Sequence, residues 1–125
     1  NNRDVNRYRW NQKVILNHLK NSKSKQSIFY KSLTNLLSIR AKQKAFHPNA
    51  SRTTLNIGSK IFCFQRTSID KKQTIICVTS LSSKAQYLLL NKRFRNWKNL
   101  INQKAFVLRN KRLKLEPFQT IWLSN

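Results

Sequence analysis

Residues 61–80 read IFCFQRTSIDKKQTIICVTS, and this stretch decides the fold class of the second half of the chain. Two runs rich in β-branched and aromatic residues, 61–66 and 73–79, flank a polar segment around Asp70, which is the pattern of a β-hairpin. If the hairpin turns near Asp70, residue 66 pairs with residue 74, and Cys63 and Cys77 become direct cross-strand partners.

The two cysteines are expected to pack as free thiols. A bond between directly paired strands strains disulfide geometry, and two cysteines fall far short of a disulfide scaffold. A structural disulfide between Cys63 and Cys77 is the less favoured alternative.

On both sides of the hairpin, short runs of Ile, Phe, Thr and Val alternate with polar turns throughout the sequence after Pro48. Strands at roughly eight- to twelve-residue spacing are typical of an all-β module. The predicted strands are 53–57, 60–66, 74–79, 86–90, 96–101, 106–108, 112–115 and 118–123. An antiparallel β-sandwich is the economical architecture for such a set.

The part of the chain before Pro48 has a different pattern. A polar and aromatic loop over 1–10 precedes a short predicted helix over 11–20. A second helix is predicted from about Ser27, with Ser24 or Ser27 as its cap. One stripe of residues recurs at helical spacing and is expected to pack on a sheet or barrel rather than on a membrane surface: Phe29, Leu33, Leu36, Leu37, Arg40 and Ala41.

Together these patterns predict an α+β chain with a boundary near Pro48. Residues 1–47 form a loop and two helices, and residues 48–125 form the sandwich. The apolar face of the second helix must pack against another surface to be buried. The sandwich is expected to provide that surface and to bury Phe29, Leu33, Leu36 and Leu37.

Composition excludes several classes of function. The chain has 125 residues, with 26 Lys+Arg against 3 Asp+Glu and a net charge of +23, while 39% hydrophobic residues are enough for a folded core. The single glycine excludes a Gly-rich phosphate loop. The apolar runs are too short to span a bilayer, so we expect no membrane contact and a cytoplasmic location.

No catalytic or metal-binding constellation is expected. Asp4, Asp70 and Glu116 lie in three unrelated contexts, so no carboxylate pair is available for glycoside hydrolysis. His18 and His47 lack ligand spacing and have no nucleophile and acid in a recognisable pattern. We therefore predict no metal, no cofactor and no catalytic residue in this chain.

The excess of basic residues favours a second hypothesis, electrostatic binding of nucleic acid. Cations and aromatics alternate in 93–98, RFRNWK, and cations cluster again in 109–112, RNKR. The cations are otherwise spread evenly over the chain, which a solvated basic surface explains equally well. A third hypothesis is carbohydrate stacking on Trp97 or Trp122, although both residues also suit strand cores.

Four blocks of sequence carry a family resemblance. They are NRDVNR at 2–7, LTNLLSIR at 33–40 running into AFHPNA at 45–50, the hairpin with its continuation over 61–82, and LKLEPFQTIWL at 113–123. In this order the blocks resemble the C-terminal part of the sugar phosphorylases of glycoside hydrolase family 13, the group that contains sucrose phosphorylase. The blocks are similar to a loop that reaches the active site, the last helix of a (β/α)8 barrel, the first strands of a terminal β domain and its closing strand.

The resemblance implies transfer of a glucosyl group from a sucrose-like glucoside to phosphate with retention, through an aspartate nucleophile and a glutamate acid/base. Those carboxylates belong to earlier barrel strands, so the implied partner of this chain is the remainder of the barrel. Arg7 matches the arginine that contacts the glucosyl unit, and Asn6, Arg3 and Asp4 would frame its loop. The alternative for Arg3 and Asp4 is that they only pair and hold the loop.

The sequence departs from the family at several positions. Asn2 replaces a leading glycine, Asn99 replaces the acidic residue after a tryptophan, and Asn102-Gln103 replaces a Ser-Gly turn. Loss of acids and glycines raises the positive charge without changing the hydrophobic pattern. A decayed or split gene is therefore an open hypothesis beside that of an intact enzyme.

Overall fold

The computed structural model describes residues 9–89, 97–103 and 112–125. The chain divides into two compact units, Asn1–Ser38 and Ile39–Asn125. We refer to the described part of the first as the helical region and to that of the second as the β region. The predicted class, two helices followed by an antiparallel β domain, is confirmed. The predicted domain boundary between residues 47 and 48 stays a prediction.

Two helices form where the sequence predicts them. Helix α1 spans Gln12–Lys20, and the Asn11 side chain caps it by accepting from the Lys13 N–H at 2.9 Å. Helix α2 spans Lys25–Ala41, and Ser24, one of the two predicted caps, precedes it with its Oγ accepting from the Ser27 N–H at 3.1 Å. No helix among the described residues is both long and apolar enough to cross a membrane.

The expected burial of the α2 stripe is wrong for this structure. Phe29, Leu33 and Leu37 are 69%, 42% and 53% exposed, and Leu36 is half-buried. Helical spacing places these residues on one side of α2 but does not supply a surface that buries them, and Ile28 and Tyr30 add apolar side chains on its other sides. Apolar side chains therefore surround α2 instead of lining only one side.

Only one residue of the two helices is buried. Ser27 is 1% exposed, and its hydroxyl donates to the Leu19 carbonyl at 3.0 Å, which ties the start of α2 to the end of α1. The buried contact in this region is thus a hydrogen bond rather than an apolar core.

The β region begins with a short 3-10 turn, Lys44–Phe46. Its strands are β1 Ser51–Thr54, β2 Ile61–Thr67, β3 Thr74–Ser80, β4 Gln86–Leu89, β5 Lys98–Asn99, β6 Arg112–Leu115 and β7 Thr120–Ser124. One sheet has the order β1-β2-β3-β7-β5, and β4 and β6 form a second, with every pair antiparallel. The predicted strand 106–108 lies outside the described residues, and the predicted strand 53–57 is shifted to Ser51–Thr54.

The predicted register of the β2–β3 hairpin is wrong by one residue. Thr67 pairs with Thr74, so Cys63 lies opposite Val78 and Cys77 lies opposite Phe64. The connection spans residues 68–73 and is closed by the Ser68 N–H donating to the Gln73 carbonyl at 2.9 Å. Because side chains alternate along a strand, this shift places the two cysteines on opposite faces of the sheet.

The two faces of the large sheet have different surroundings. The inner face meets the second sheet in an apolar cluster: Cys63, Ile76, Val78, Leu88, Leu115, Ile121 and Leu123. The outer face carries a smaller cluster in which Ala45, Ile75, Cys77 and Leu100 are buried and Ile39, Phe46, Phe64 and Trp122 pack around them. The end of α2 and the 3-10 turn thus cover part of the outer face.

Candidate functional site

The residues predicted to contact substrate lie outside the described residues. Arg3, Asp4, Asn6 and Arg7 fall within 1–8, so the donor-site assignment for them stays a prediction. The basic and aromatic residues 93–96 and the cations at 109–111 are also outside the described ranges.

Both described carboxylates are engaged by lysines. Lys44 Nζ lies 3.0 Å from Asp70 Oδ2, and Lys114 Nζ lies 2.8 Å from Glu116 Oε1. Asp70 belongs to the β2–β3 connection and Glu116 directly follows β6, so each forms its own local ion pair. This arrangement gives neither carboxylate the partner that glycoside chemistry requires.

Asp70 organises the β2–β3 turn. Its Oδ1 accepts from the Ser68 hydroxyl at 2.6 Å and from the Lys72 N–H at 3.1 Å, beside the ion pair with Lys44. The Ser68 hydrogen bond first, and then those from Lys72 and Lys44, hold the pKa of Asp70 well below its usual range. A carboxylate that stays ionised in this way anchors a turn and does not serve as a general acid.

The cysteines are free and buried. Burial raises the pKa of the Cys63 thiol to about 11 and, with a smaller contribution from Cys63, that of Cys77 to about 12. Both groups are therefore thiols at neutral pH and contribute packing rather than nucleophilic chemistry. Within the described ranges, no three histidines, cysteines or acids are grouped as a metal site would need.

A cavity of about 410 Å³ lies on the outer face of the large sheet. Alternate residues of β2, namely Phe62, Phe64 and Arg66, point to this face, as does Arg52 opposite Arg66 on β1. Arg40 at the end of α2 and Trp122 on β7 also line it. We call this feature the outer cavity.

One arginine of the outer cavity holds the chain in place. Arg66 Nε donates to the Ala45 carbonyl at 3.0 Å, and its Nη2 donates to the His47 carbonyl. These bonds attach the 3-10 turn to β2. Their donors belong to a guanidinium, so they are charge-assisted.

The other arginines face the cavity without an acid beside them. The guanidinium carbon of Arg52 lies 5.2 Å from the centre of the Phe64 ring, a cation–π distance. Among the residues that the structure describes, both carboxylates bind lysines, and none pairs with Arg40, Arg52 or Arg66. The outer cavity therefore combines aromatic surface with uncompensated positive charge.

Sequence reasoning missed the outer cavity, although a signal for it exists. Phe62, Phe64 and Arg66 alternate along β2, and this period of two places them on one face of the strand. The period of two does not by itself reveal a cavity, because the cavity also needs Arg52 from β1 and Trp122 from β7.

The two tryptophans considered for carbohydrate stacking, Trp97 and Trp122, are both half-buried. Trp122 is half-buried and packs edge to face against Phe46, with ring centres 4.9 Å apart at 62°. Trp97 is half-buried and packs against the inner cluster. Both positions favour the core role over the carbohydrate-stacking hypothesis.

Comparison with curated proteins identifies one relative of defined activity. The glucosylglycerate phosphorylase of Spirochaeta thermophila is 26% identical over 81 residues, which make up 65% of this chain and 14% of that enzyme. No family model matches the chain. The chain thus spans about a seventh of the length of this curated relative.

Solved structures share the fold. The trehalulose synthase MutB from Pseudomonas mesoacidophila MX-45 aligns with a TM-score of 0.64 and 18% identity, over 87% of this chain and 19% of its own. AmyP, solved in complex with maltose, aligns with a TM-score of 0.69 and 17% identity, over 83% of this chain and 22% of its own. At these identities the likeness shows the fold.

The curated match is, by its name, a phosphorylase of a glucosyl compound, and the solved neighbours share the fold of this chain. The resemblance expected from the sequence is therefore confirmed: the chain resembles the C-terminal part of a family 13 phosphorylase.

Proposed function

We propose that this chain is the C-terminal portion of a longer, retaining glucosyl-transferring sugar phosphorylase. The observation that carries the proposal is the match to a glucosylglycerate phosphorylase over 65% of the chain. The shared fold of the solved relatives supports it. The reaction would transfer a glucosyl group from a sucrose-like glucoside to phosphate and release glucose 1-phosphate. Glucosylglycerate is the second donor to test, because the curated relative carries that name.

In this proposal the sandwich is a scaffold and the chemistry lies in the remainder of the barrel. The described carboxylates, Asp70 and Glu116, are bound to lysines, which agrees with a non-catalytic role for this part. The exposed apolar residues Phe29, Leu33 and Leu37 agree with a helix that packs against the preceding parts of a barrel. A cytoplasmic location belongs to the proposal, because the two free thiols suit a reducing compartment.

Arg7 would contact the glucosyl unit, and Asn6, Arg3 and Asp4 would shape its loop. A guanidinium offers a planar set of donors that suits sugar hydroxyls. The matched control is Arg9, a second arginine near this loop that is exposed in the structure.

The test is phosphorolysis by the complete polypeptide expressed from its gene. Release of glucose 1-phosphate is measured from sucrose and from glucosylglycerate, with phosphate as acceptor. Arg7→Ala should lower kcat/KM by about tenfold to a hundredfold, as loss of charge-assisted hydrogen bonds of about 1.5–3 kcal/mol predicts. Arg9→Ala should leave kcat/KM within about twofold. Equal losses in the two variants would remove Arg7 from the donor site, and no release from either donor would contradict the phosphorylase proposal.

Electrostatic binding of nucleic acid is the competing function, and the net charge of +23 is the observation in its favour. It is tested by titrating salt against a fluorescent single-stranded oligonucleotide bound to the 125-residue chain. Affinity that falls steeply with salt and ignores sequence indicates generic attraction to phosphates. Tight, sequence-dependent binding at physiological salt would favour a nucleic-acid function over the phosphorylase proposal.

A further inference from the structure

The outer cavity combines features that an isolated surface would disfavour. Arg52 and Arg66 are direct cross-strand partners, and like charges in this position repel each other. Phe62 lines the same cavity, with its ring 5.6 Å from that of Phe64, and is 41% exposed. No carboxylate in the described part of the chain offsets the arginines. An occupant with negative charge would offset the repulsion between the two arginines, and its apolar surface would cover Phe62.

The same face already binds polypeptide. Ala45 is fully buried on it, with its N–H donating to Gln73 Oε1 at 3.0 Å, and Phe46 packs on Trp122. The Arg66 guanidinium fastens this segment through two backbone carbonyls. The outer cavity is continuous with this covered area, because Phe46 and Trp122 line both. A second segment of polypeptide bound in the outer cavity would extend the interface that the segment around Ala45 and Phe46 forms with this face of the sheet.

We propose that the outer cavity is the docking surface for a carboxylate-bearing segment in the remainder of the longer polypeptide. Aspartate or glutamate side chains of that segment would pair with Arg40 and Arg52, and an apolar side chain would cover Phe62. This inference rests on the proposed function, in which the greater part of the enzyme lies outside this chain. The match covers 14% of the curated relative, so most of that enzyme's length has no counterpart in this chain. A longer polypeptide of similar length would contain such a segment.

Arginine footprinting tests the docking surface. The native polypeptide from source cells and the 125-residue chain are each treated with phenylglyoxal, and modification is followed by peptide mass spectrometry. Arg52 should react at least tenfold more slowly in the native polypeptide. Arg112 is the matched control, since it is also an exposed strand arginine but belongs to the second sheet, and its rate should be the same in both samples.

The outcomes separate the two proposals. The mass of the native sample is read first, and a value near 14.9 kDa overturns the proposed function itself. A longer polypeptide in which Arg52 reacts as fast as in the 125-residue chain overturns the docking surface alone. Selective protection of Arg52 by a single-stranded oligonucleotide, with none in the longer polypeptide, would assign the cavity to a nucleic acid instead.

A charge reversal gives an independent measurement. Arg52→Glu in the 125-residue chain loses the contact with Phe64 and gains an attraction to Arg66, so its Tm should change by less than about 2 °C. In the complete polypeptide the same variant opposes a carboxylate, and its Tm should fall by at least about 3 °C more than that of Arg112→Glu. Equal effects of the two variants in the complete polypeptide would contradict the docking surface.

Discussion

The helical region and the β region use apolar residues in opposite ways. Every apolar side chain recorded as buried in the described parts of the chain belongs to the β region, whereas the buried residue of the two helices is Ser27. The two helices expose Phe29, Leu33 and Leu37, although their sequences are no less apolar than the sequence of the β region. Burial of apolar surface is the main source of folding stability, so the two regions should differ sharply in their response to mutation.

Truncation of a core leucine is the strongest way to test this comparison. Leu123 is fully buried in the inner cluster, so Leu123→Ala should lower the free energy of unfolding by about 2–5 kcal/mol. Leu37→Ala removes the same atoms from a side chain that is 53% exposed, and should cost less than about 0.5 kcal/mol. Urea unfolding of the 125-residue chain, followed by circular dichroism, measures both. Similar losses would mean that the helices have a core of their own.

A smaller effect is expected at the edge of the β region, where Arg66 holds the 3-10 turn. Arg66→Met takes the Arg66 donor away from the Ala45 carbonyl and one of two donors away from the His47 carbonyl, which keeps the Ala50 N–H, so unfolding should become easier by about 1–3 kcal/mol. Arg52→Met changes the directly opposite arginine, which is exposed, and should cost less than about 0.5 kcal/mol. Urea midpoints of the two variants in the 125-residue chain provide the measurement. A larger loss in Arg52→Met would contradict the role assigned to Arg66.

The smallest effect is expected at the hairpin turn and depends on pH. The pKa of Asp70 is depressed in the folded chain, so its charge stabilises the fold above pH ~4, and this contribution fades as the pH falls further. Asp70→Asn should therefore lower the Tm slightly at pH 7, and the difference from the wild type should shrink toward pH 2. Thermal melts across this range test the expectation. Glu116→Gln, which breaks the other described ion pair, is the control, and a difference for Asp70→Asn that grows toward low pH would contradict this account.

Local patterns were enough to predict most elements of the fold but not how they pair. The runs 61–66 and 74–79 identified β2 and β3 because β-branched and aromatic residues suit strands. Their register depended on a connection whose length is set by Ser68, Asp70 and the left-handed backbone of Lys71, with φ of 56°. A turn centred on Asp70 pairs residue 66 with residue 74, whereas in the structure Thr67 pairs with Thr74. This shift of one residue places Cys63 and Cys77 on opposite faces of the sheet.

The site was less predictable than the fold. Helical spacing in α2 identified a helix, but spacing alone does not say whether a partner surface is present to bury Phe29 and Leu33. The outer cavity joins Arg40, Arg52 and Trp122, which are distant in sequence and meet only through strand order. The assignment of Arg7 rests on the family resemblance of residues 2–7 and stays a prediction.

The proposed function requires that this chain be the C-terminal portion of a longer polypeptide. The most direct measurement is the intact mass of the endogenous polypeptide that carries this sequence, taken by mass spectrometry from source cells. The account predicts a mass several times 14.9 kDa. A mass near 14.9 kDa would contradict it and would leave a basic binding protein or the relic of an enzyme.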